Sequence, residues 1–300
     1  MKKYLSLILI GCLMLSGCED GEESSSSIPS EIVVSSVPVE TAEASVFPVD
    51  VCGVTIEAAP QRVVSLSPAV TEILAELGYT ARLRGISNYC DYPELSLQTV
   101  GSSENPDIEV INGLSPDVVF TLSGMSERDI YALNDEGAQV ICLQPPVSVE
   151  TYGALYSDIA SVFGGAEQGA AAGEKAVRAL TSAAESAELG SFIYVTDKLT
   201  AAGTETFESA VLSLSGENLC TADGYSELLE LSEAAPQYII ASDRLTYDDI
   251  TDDDTLYSMV SDGAEVLFVT ASVFERPSVR TANVFSQIAE QLSDDTSETE

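Results

Sequence analysis

Histidine, the side chain most often used as a general base and as a transition-metal ligand, occurs nowhere in the 300 residues. Ser-His-Asp chemistry and histidine-based zinc sites are therefore excluded. The six cysteines, at 12, 18, 52, 90, 142 and 220, form no C-x-x-C pair, so a zinc ribbon or a thioredoxin-like redox motif is excluded as well. Cys52, Cys90, Cys142 and Cys220 fall in the body of the chain. They can pair as disulfides in an oxidising envelope or remain small buried apolar residues in an anaerobic one. Carboxylates are plentiful, with 49 Asp plus Glu against 12 Lys plus Arg and a formal net charge of −37. Paired Asp and Glu could serve an envelope hydrolase, and Asp248-Asp249 followed by Asp252-Asp253-Asp254 invites calcium. That run lacks the glycine and terminal glutamate of an EF-hand loop and reads as a polar surface turn. No catalytic residue and no metal site is assigned. So acidic a surface repels polyanions, and no nucleic-acid partner is expected.

Cys18 suggests different chemistry. Met1-Lys2-Lys3 is followed by an apolar run from Leu5 to Leu15, well short of the roughly 20 residues that span a bilayer, and this reads as an export leader. Its end, Leu15-Ser16-Gly17-Cys18, resembles the bacterial lipobox, in which the cysteine is diacylated and becomes the first residue of the mature chain. Two acyl chains would anchor it durably to the outer face of the cytoplasmic membrane. Residues 18–50, rich in Glu, Ser and Pro, bury too little apolar surface to offset ordering entropy and read as a flexible tether.

The elements behind these residues form a pattern that occurs twice. Arg62 to Gly78 reads as a buried strand, a turn at Ser67-Pro68 and an amphipathic helix, with Ser67 as N-cap and Pro68 as first helical residue. Phe192 to Asp197, a glycine-containing loop and a helix over Phe207 to Leu214 repeat that order. Ile108 to Phe120 is a helix stopped before Pro116, which opens a strand, and Leu228 to Ala241 does the same around Pro236. Gly137 to Cys142 and Gly263 to Phe268 are matching helix exits leading into strands. Three landmarks in one order predict an α/β fold of two similar Rossmann-like lobes, residues 51–148 and 190–292. Between them, residues 149–189 predict a helical bridge of two helices, Val149 to Val162 and Ala166 to Glu188, interrupted at Phe163-Gly164-Gly165. Residues 1–17 are the leader and 293–300 an acidic, disordered tail.

From about Val51 to Leu292 the chain resembles the ABC-importer binding proteins in which a rigid helix joins two lobes, a class that carries vitamin B12, siderophores or haem. The likeness is greatest to the B12-binding members. It is carried by Arg62-Val-Val-Ser-Leu-Ser-Pro-Ala-Val-Thr-Glu72, Gly85-Ile-Ser-Asn-Tyr-Cys-Asp-Tyr-Pro93, Asn105-Pro-Asp-Ile-Glu-Val-Ile111, Leu114-Ser-Pro-Asp-Val-Val119 and Phe274-Glu-Arg-Pro-Ser-Val-Arg280. The resemblance implies a ligand cleft between the lobes, at loops leaving the carboxyl ends of strands. Pro68, Tyr89, Leu122, Phe274, Arg276 and Arg280 match ligand-binding positions. Tyr89 would pack on a corrin ring, and Arg276 would reach a ligand amide, carboxylate or phosphate from the second lobe. Relatives often place tryptophans against the corrin, but this chain has none and offers Ser103 or Glu104, Leu122 and Val273 instead, with Phe207, Tyr225 and Phe274 as further apolar surface.

In such proteins one exposed glutamate on each lobe meets arginines of the permease. Glu109, seven residues before Pro116, matches in the first lobe. Seven before Pro236 stands Leu229, so in the second lobe the role passes to Glu230 or Glu227. The resemblance thus implies a monomeric, extracytoplasmic binding component working with a permease and its ATPase subunits, not an enzyme and without a cofactor. The ligand the resemblance implies is cobalamin or another corrinoid, with ferric siderophore or haem as alternatives. Haem, without a histidine, would need a Tyr or Met as its axial ligand, and Tyr89 and Tyr92 are the tyrosines at hand. An envelope adhesion lipoprotein with no small-molecule cargo is the alternative of another class.

Overall fold

The first lobe is built on five parallel strands. The computed structural model describes residues 46–91 and 94–297; the leader, Cys18 and Tyr92 lie outside them. A short antiparallel hairpin comes first, β1 (Val49–Val51) and β2 (Val54–Ile56), so the expected tether already ends in paired strand at Val49. Then follow β3 (Val63–Ser65), α1 (Pro68–Glu76), β4 (Leu83–Ile86), β5 (Gln98–Thr99), α2 (Ile108–Gly113), β6 (Val118–Leu122), α3 (Glu127–Asp135) and β7 (Gln139–Leu143). The sheet order is β5-β4-β3-β6-β7, parallel throughout. Every residue of β3 is buried, as expected of a parallel strand covered on both faces, which is why it reads as an unbroken apolar run.

Helix α4 (Val149–Ala184) opens with a capping box between Ser148 and Thr151. It is not straight. Gly165 has φ 76° and ψ 178°, and there the chain folds into two arms, 149–164 and 166–184, lying side by side. A Cβ on Gly173 would come within 2.6 Å of the Gly153 carbonyl, and one on Gly169 would run into Ser161 and Ser157. Contacts between residues so far apart are impossible in one continuous helix, whose rise is about 1.5 Å per residue. The two predicted helices are therefore present as an antiparallel pair, and small residues let their backbones meet. Aromatic side chains of the first arm tie it to both lobes. Phe163 stacks on Tyr79, with ring centroids 3.9 Å apart, and Tyr152 stacks on Phe207 at 5.7 Å.

The second lobe comprises β8 (Ser191–Val195), β9 (Thr200–Ala202), α5 (Phe207–Leu212), β10 (Glu217–Asn218), β11 (Tyr225–Glu227), β12 (Tyr238–Ser242), α6 (Tyr247–Asp252), α7 (Asp254–Ser261), β13 (Glu265–Val269), α8 (Ser272–Glu275) and α9 (Asn283–Ser297). Its sheet runs β11-β9-β8-β12-β13, with β10 also on β8. The triad β8-β12-β13 is parallel and repeats β3-β6-β7 of the first lobe, whereas β9 and β11 are antiparallel additions. The predicted helix before Pro236 is only a 3-10 turn, Leu228–Leu231. The aspartate run is no surface turn: Thr246 and Asp253 cap α6 and α7, and acidic residues in a first helical turn suit the helix dipole. Nor does the chain end as a loose tail at 292, because α9 runs on to Ser297. The four cysteines among the described residues are free.

Candidate functional site

The strand ends of both lobes face a shared cleft of about 590 Å³. In the first lobe β3 ends at the turn holding Pro68. Ser67 occupies the N-cap position without capping through its side chain; Ser65 Oγ and Thr71 Oγ1 instead donate to its carbonyl at 2.9 and 3.0 Å. Pro68 needs no donor in the first helical turn, so the ring can present an apolar edge to the cleft. After β4 the loop carries Tyr89, which is 64% exposed on the cleft wall. After β5, Gly101 has φ 87°, and a Cβ there would come within 2.3 Å of the Asn105 carbonyl. This tight turn delivers Ser102, Ser103 and Glu104 to the wall, while β6 contributes Leu122 and the exit of β7 contributes Pro145 to Val147.

In the second lobe Thr206 caps α5 by accepting from the Ser209 N–H, which fixes Glu205, Phe207 and Glu208 at the mouth. Tyr225 on β11 donates to Glu208 Oε1 at 3.0 Å, and its phenol is pushed up to about 12, chiefly by burial and then by the Glu208 charge. Phe274 and Glu275 complete this side from α8. Among the described lining residues are Glu104, Glu205, Glu208 and Glu275 and no lysine or arginine. The wall is thus apolar and aromatic with a negative rim.

The structure therefore brings Pro68, Tyr89, Leu122 and Phe274 together on one surface. The two arginines lie elsewhere. Arg276, between the lining residues Glu275 and Pro277, donates from Nη1 to Asp91 of the first lobe at 2.6 Å, which holds the Asp91 carboxyl below the usual carboxylate range. Arg280, expected at the ligand, is instead part of a junction between the lobes. Its Nε and Nη2 donate to Glu72 Oε2 and Oε1 of α1 at 3.0 and 2.5 Å, and the Ser278 hydroxyl donates to the same carboxylate. The physical reason is that Glu72 is fully buried, and a buried carboxylate requires a charged partner more than the solvated cleft does. Beside it the Tyr152 hydroxyl donates to the Ser278 carbonyl at 2.9 Å and the Tyr156 hydroxyl to Glu76 at 2.8 Å.

Glu109 is exposed in the first turn of α2, five positions beyond Glu104 of the cleft. Glu230 is exposed in the 3-10 turn, five positions beyond Tyr225, and accepts from Ser226 Oγ at 2.7 Å. Sequence reasoning missed Glu205, Glu208 and Pro145 to Val147. The internal repeat held the signal for the first two, because they occupy the strand-to-helix turn that corresponds to Ser67-Pro68.

Residues 63–260 match the periplasmic binding protein family, and the chain belongs to it. The family is one of solute-binding proteins, which are not enzymes. A cobalamin-binding protein of Halobacterium salinarum is 29% identical over 101 residues, which are 32% of this chain and 27% of that protein. A vitamin B12-binding protein of Yersinia pestis is 38% identical over 68 residues, 22% of this chain and 24% of that one. The matches thus span about a quarter of each relative's length. The fold is shared with the periplasmic haem-binding protein of Vibrio cholerae, with a TM-score of 0.65 and 17% identity over 77% of this chain and 98% of that one. It is also shared with the vitamin B12-binding protein of Vibrio cholerae, with a TM-score of 0.56 and 21% identity over 78% and 97%.

Proposed function

We propose that this chain is the extracytoplasmic binding component of an ABC importer and that its cargo is a corrinoid such as cobalamin. The observation that carries the choice of cargo is the charge of the cleft. Four glutamates and no described cation line a wall whose remaining surface is largely aromatic, proline and leucine. A ferric siderophore or the propionates of haem would meet repulsion there, whereas an electroneutral or cationic macrocycle with apolar faces would lie between Tyr89 and Pro68 on one side and Phe207 and Phe274 on the other. The two B12-binding relatives support the same choice. Arg276 is engaged by Asp91 beside the Tyr89 loop and Arg280 by Glu72, so the aromatic wall carries more of the cargo contact than the two arginines do.

Glu109 and Glu230, each five residues beyond the cleft wall on its own lobe, are the contacts for the permease, and acylated Cys18 is the membrane anchor. The decisive experiment titrates the leaderless protein with cyanocobalamin, cobinamide, haem and a ferric siderophore while following thermal unfolding. Binding to the native state stabilises by about 2.7 kcal/mol at a hundredfold excess over Kd. Stabilisation by the corrinoids alone is expected. A response to haem alone transfers the site to haem with Tyr89 as its axial ligand, and no response at all overturns the importer reading of the cleft. Glu109→Arg should abolish corrinoid uptake in cells and leave binding unchanged.

A further inference from the structure

Beside the cleft, wholly within the second lobe, lies another cavity of about 380 Å³ that shares Glu208, Tyr225 and Glu275 with it. Its floor is Tyr194 of β8, which is only 2% exposed and held edge-on against Phe274 at 5.3 Å. A buried tyrosine hydroxyl normally finds a hydrogen-bond partner. The phenol of Tyr194 makes none among the described residues, yet it lines this cavity. Burial first, and then the charges of Glu208, Asp243 and Glu275 together with Tyr225, raise its pKa, so it faces the cavity as a neutral donor.

The carboxylates around it are not equivalent. Arg244 grips both oxygens of Glu275 at 2.5 and 2.7 Å and reaches Asp197 at 3.3 Å, so these two carboxylates are engaged and one of their two charges is offset. Asp243 accepts from the Ala271 N–H at 3.1 Å. Among the described residues Glu208 accepts only from Tyr225, through Oε1, leaving Oε2 open. Lys198 is exposed at the outer edge. Thr196 and Thr200 also line the cavity but bond each other at 2.8 Å, so what it offers is the Tyr194 hydroxyl, open to the cavity and able to donate, and one carboxylate oxygen able to accept. A primary carboxamide presents the complement, a carbonyl oxygen and an N–H pair on one carbon. A carboxylate would face the charge of Glu208, and an ammonium has no acceptor for the phenol's proton.

We propose that this cavity is a subsite for a primary carboxamide arm of the cargo, the Tyr194 hydroxyl donating to the amide oxygen and Glu208 accepting from the amide nitrogen. The inference rests on the corrinoid reading of the cleft, since the corrin rim carries such arms, but its test can fail separately. Calorimetric Kd values are measured for cyanocobalamin and for its monocarboxylic acids, each with one side-arm amide hydrolysed, on the wild-type protein, Tyr194→Phe and Glu208→Gln. One monoacid should bind the wild type about tenfold more weakly than cyanocobalamin, and Glu208→Gln should narrow that gap. Tyr194→Phe should weaken cyanocobalamin by about tenfold with an unchanged Tm. Equal binding of all the monoacids, with both variants like wild type, overturns the subsite and leaves the corrinoid reading standing. If the wild type binds no corrinoid, that reading falls. The subsite is then judged by fluorine NMR of 3-fluorotyrosine-labelled protein, with the Tyr194 signal assigned through Tyr194→Phe. A shift of that signal with propionamide and not with propionate sustains it; no shift with propionamide overturns it.

Discussion

Arg276 and Arg280 stand four positions apart in one segment, yet their removal should have very different consequences. Arg280→Ala leaves the Glu72 carboxylate, whose side chain is fully buried, with the Ser278 hydroxyl and no charge partner. Breaking a buried pair in this way costs about 3–5 kcal/mol, most of it the desolvation of the charge left behind. Arg276→Ala leaves Asp91, whose side chain is 62% exposed and can be solvated by water, so the loss should stay within about 1 kcal/mol. For a body of this size each kcal/mol moves Tm by about 2–4 °C, which predicts a fall of roughly 10 °C for Arg280→Ala and only a few degrees for Arg276→Ala. Urea unfolding followed by circular dichroism measures both. The paired replacement Glu72→Leu with Arg280→Met, which removes both charges and keeps volume, should recover most of the loss. Equal, small shifts for the two arginines would refute the assignment of Glu72 and Arg280 as the buried junction. Failure of the paired replacement to recover stability would show that the cost does not arise from an unpaired charge.

Three other perturbations test neighbouring parts. Asp91 has its folded pKa depressed by Arg276, so its contribution is present above the unfolded carboxylate value near 3.9 and is lost as pH falls through the folded value; the Tm difference between wild type and Asp91→Asn should therefore shrink from pH 6 towards pH 2.5. Gly101→Ala places a methyl against the Asn105 carbonyl at a positive φ, which should cost about 1–3 kcal/mol in urea unfolding and increase amide exchange over residues 101–105. Gly173→Leu drives a side chain into the Gly153 backbone, and the resulting separation of the two α4 arms should lower Tm by more than the same change at exposed Gly113, where a Cβ meets nothing within 4 Å.

The strands at the centre of each lobe were legible because a parallel strand covered on both faces must be apolar along its whole length, as Val63-Val64 and Ile239-Ile240 are. The turn at Pro68 and the landmark prolines were legible because proline restricts its own backbone and that of the residue before it. The hairpin in α4 was not. Phe163-Gly164-Gly165 marks an interruption, but it takes contacts such as those of Gly153 with Gly173 and of Gly169 with Ser161 to show that the second arm turns back on the first. The strands β9 and β11 were too short to carry an alternating pattern. The role of Arg280 was hidden for a different reason. Its partner Glu72 is 208 positions away and lies in the run Ala69 to Leu74, where every residue is buried, so no surface period marks it as a charged site.

These pieces also bear on how the lobes can move. Helix α1 carries Pro68 at the cleft, Glu72 one turn on and Glu76 a turn further, so a single rigid helix connects the ligand wall, the junction with Arg280 and the bridge tyrosine Tyr156. Opening the lobes about α4 would pull Glu72 from Arg280 and Ser278 and would also strip the Tyr152 hydroxyl from the Ser278 carbonyl. The first loss strands the buried Glu72 charge, which is far costlier than the bending of a hinge strand, whereas the Tyr152 hydroxyl keeps Tyr156 as a neighbour at 3.4 Å. The rim is held less tightly: the Tyr89 loop is tied across the lobes through Asp91, which pairs with Arg276 at 2.6 Å and lies 3.6 Å from Arg280 Nη2, and the Asp91 side chain is 62% exposed. Cargo entry should therefore proceed by displacement of the Tyr89 rim over fixed lobes, with the junction at Glu72 intact in both the empty and the loaded protein.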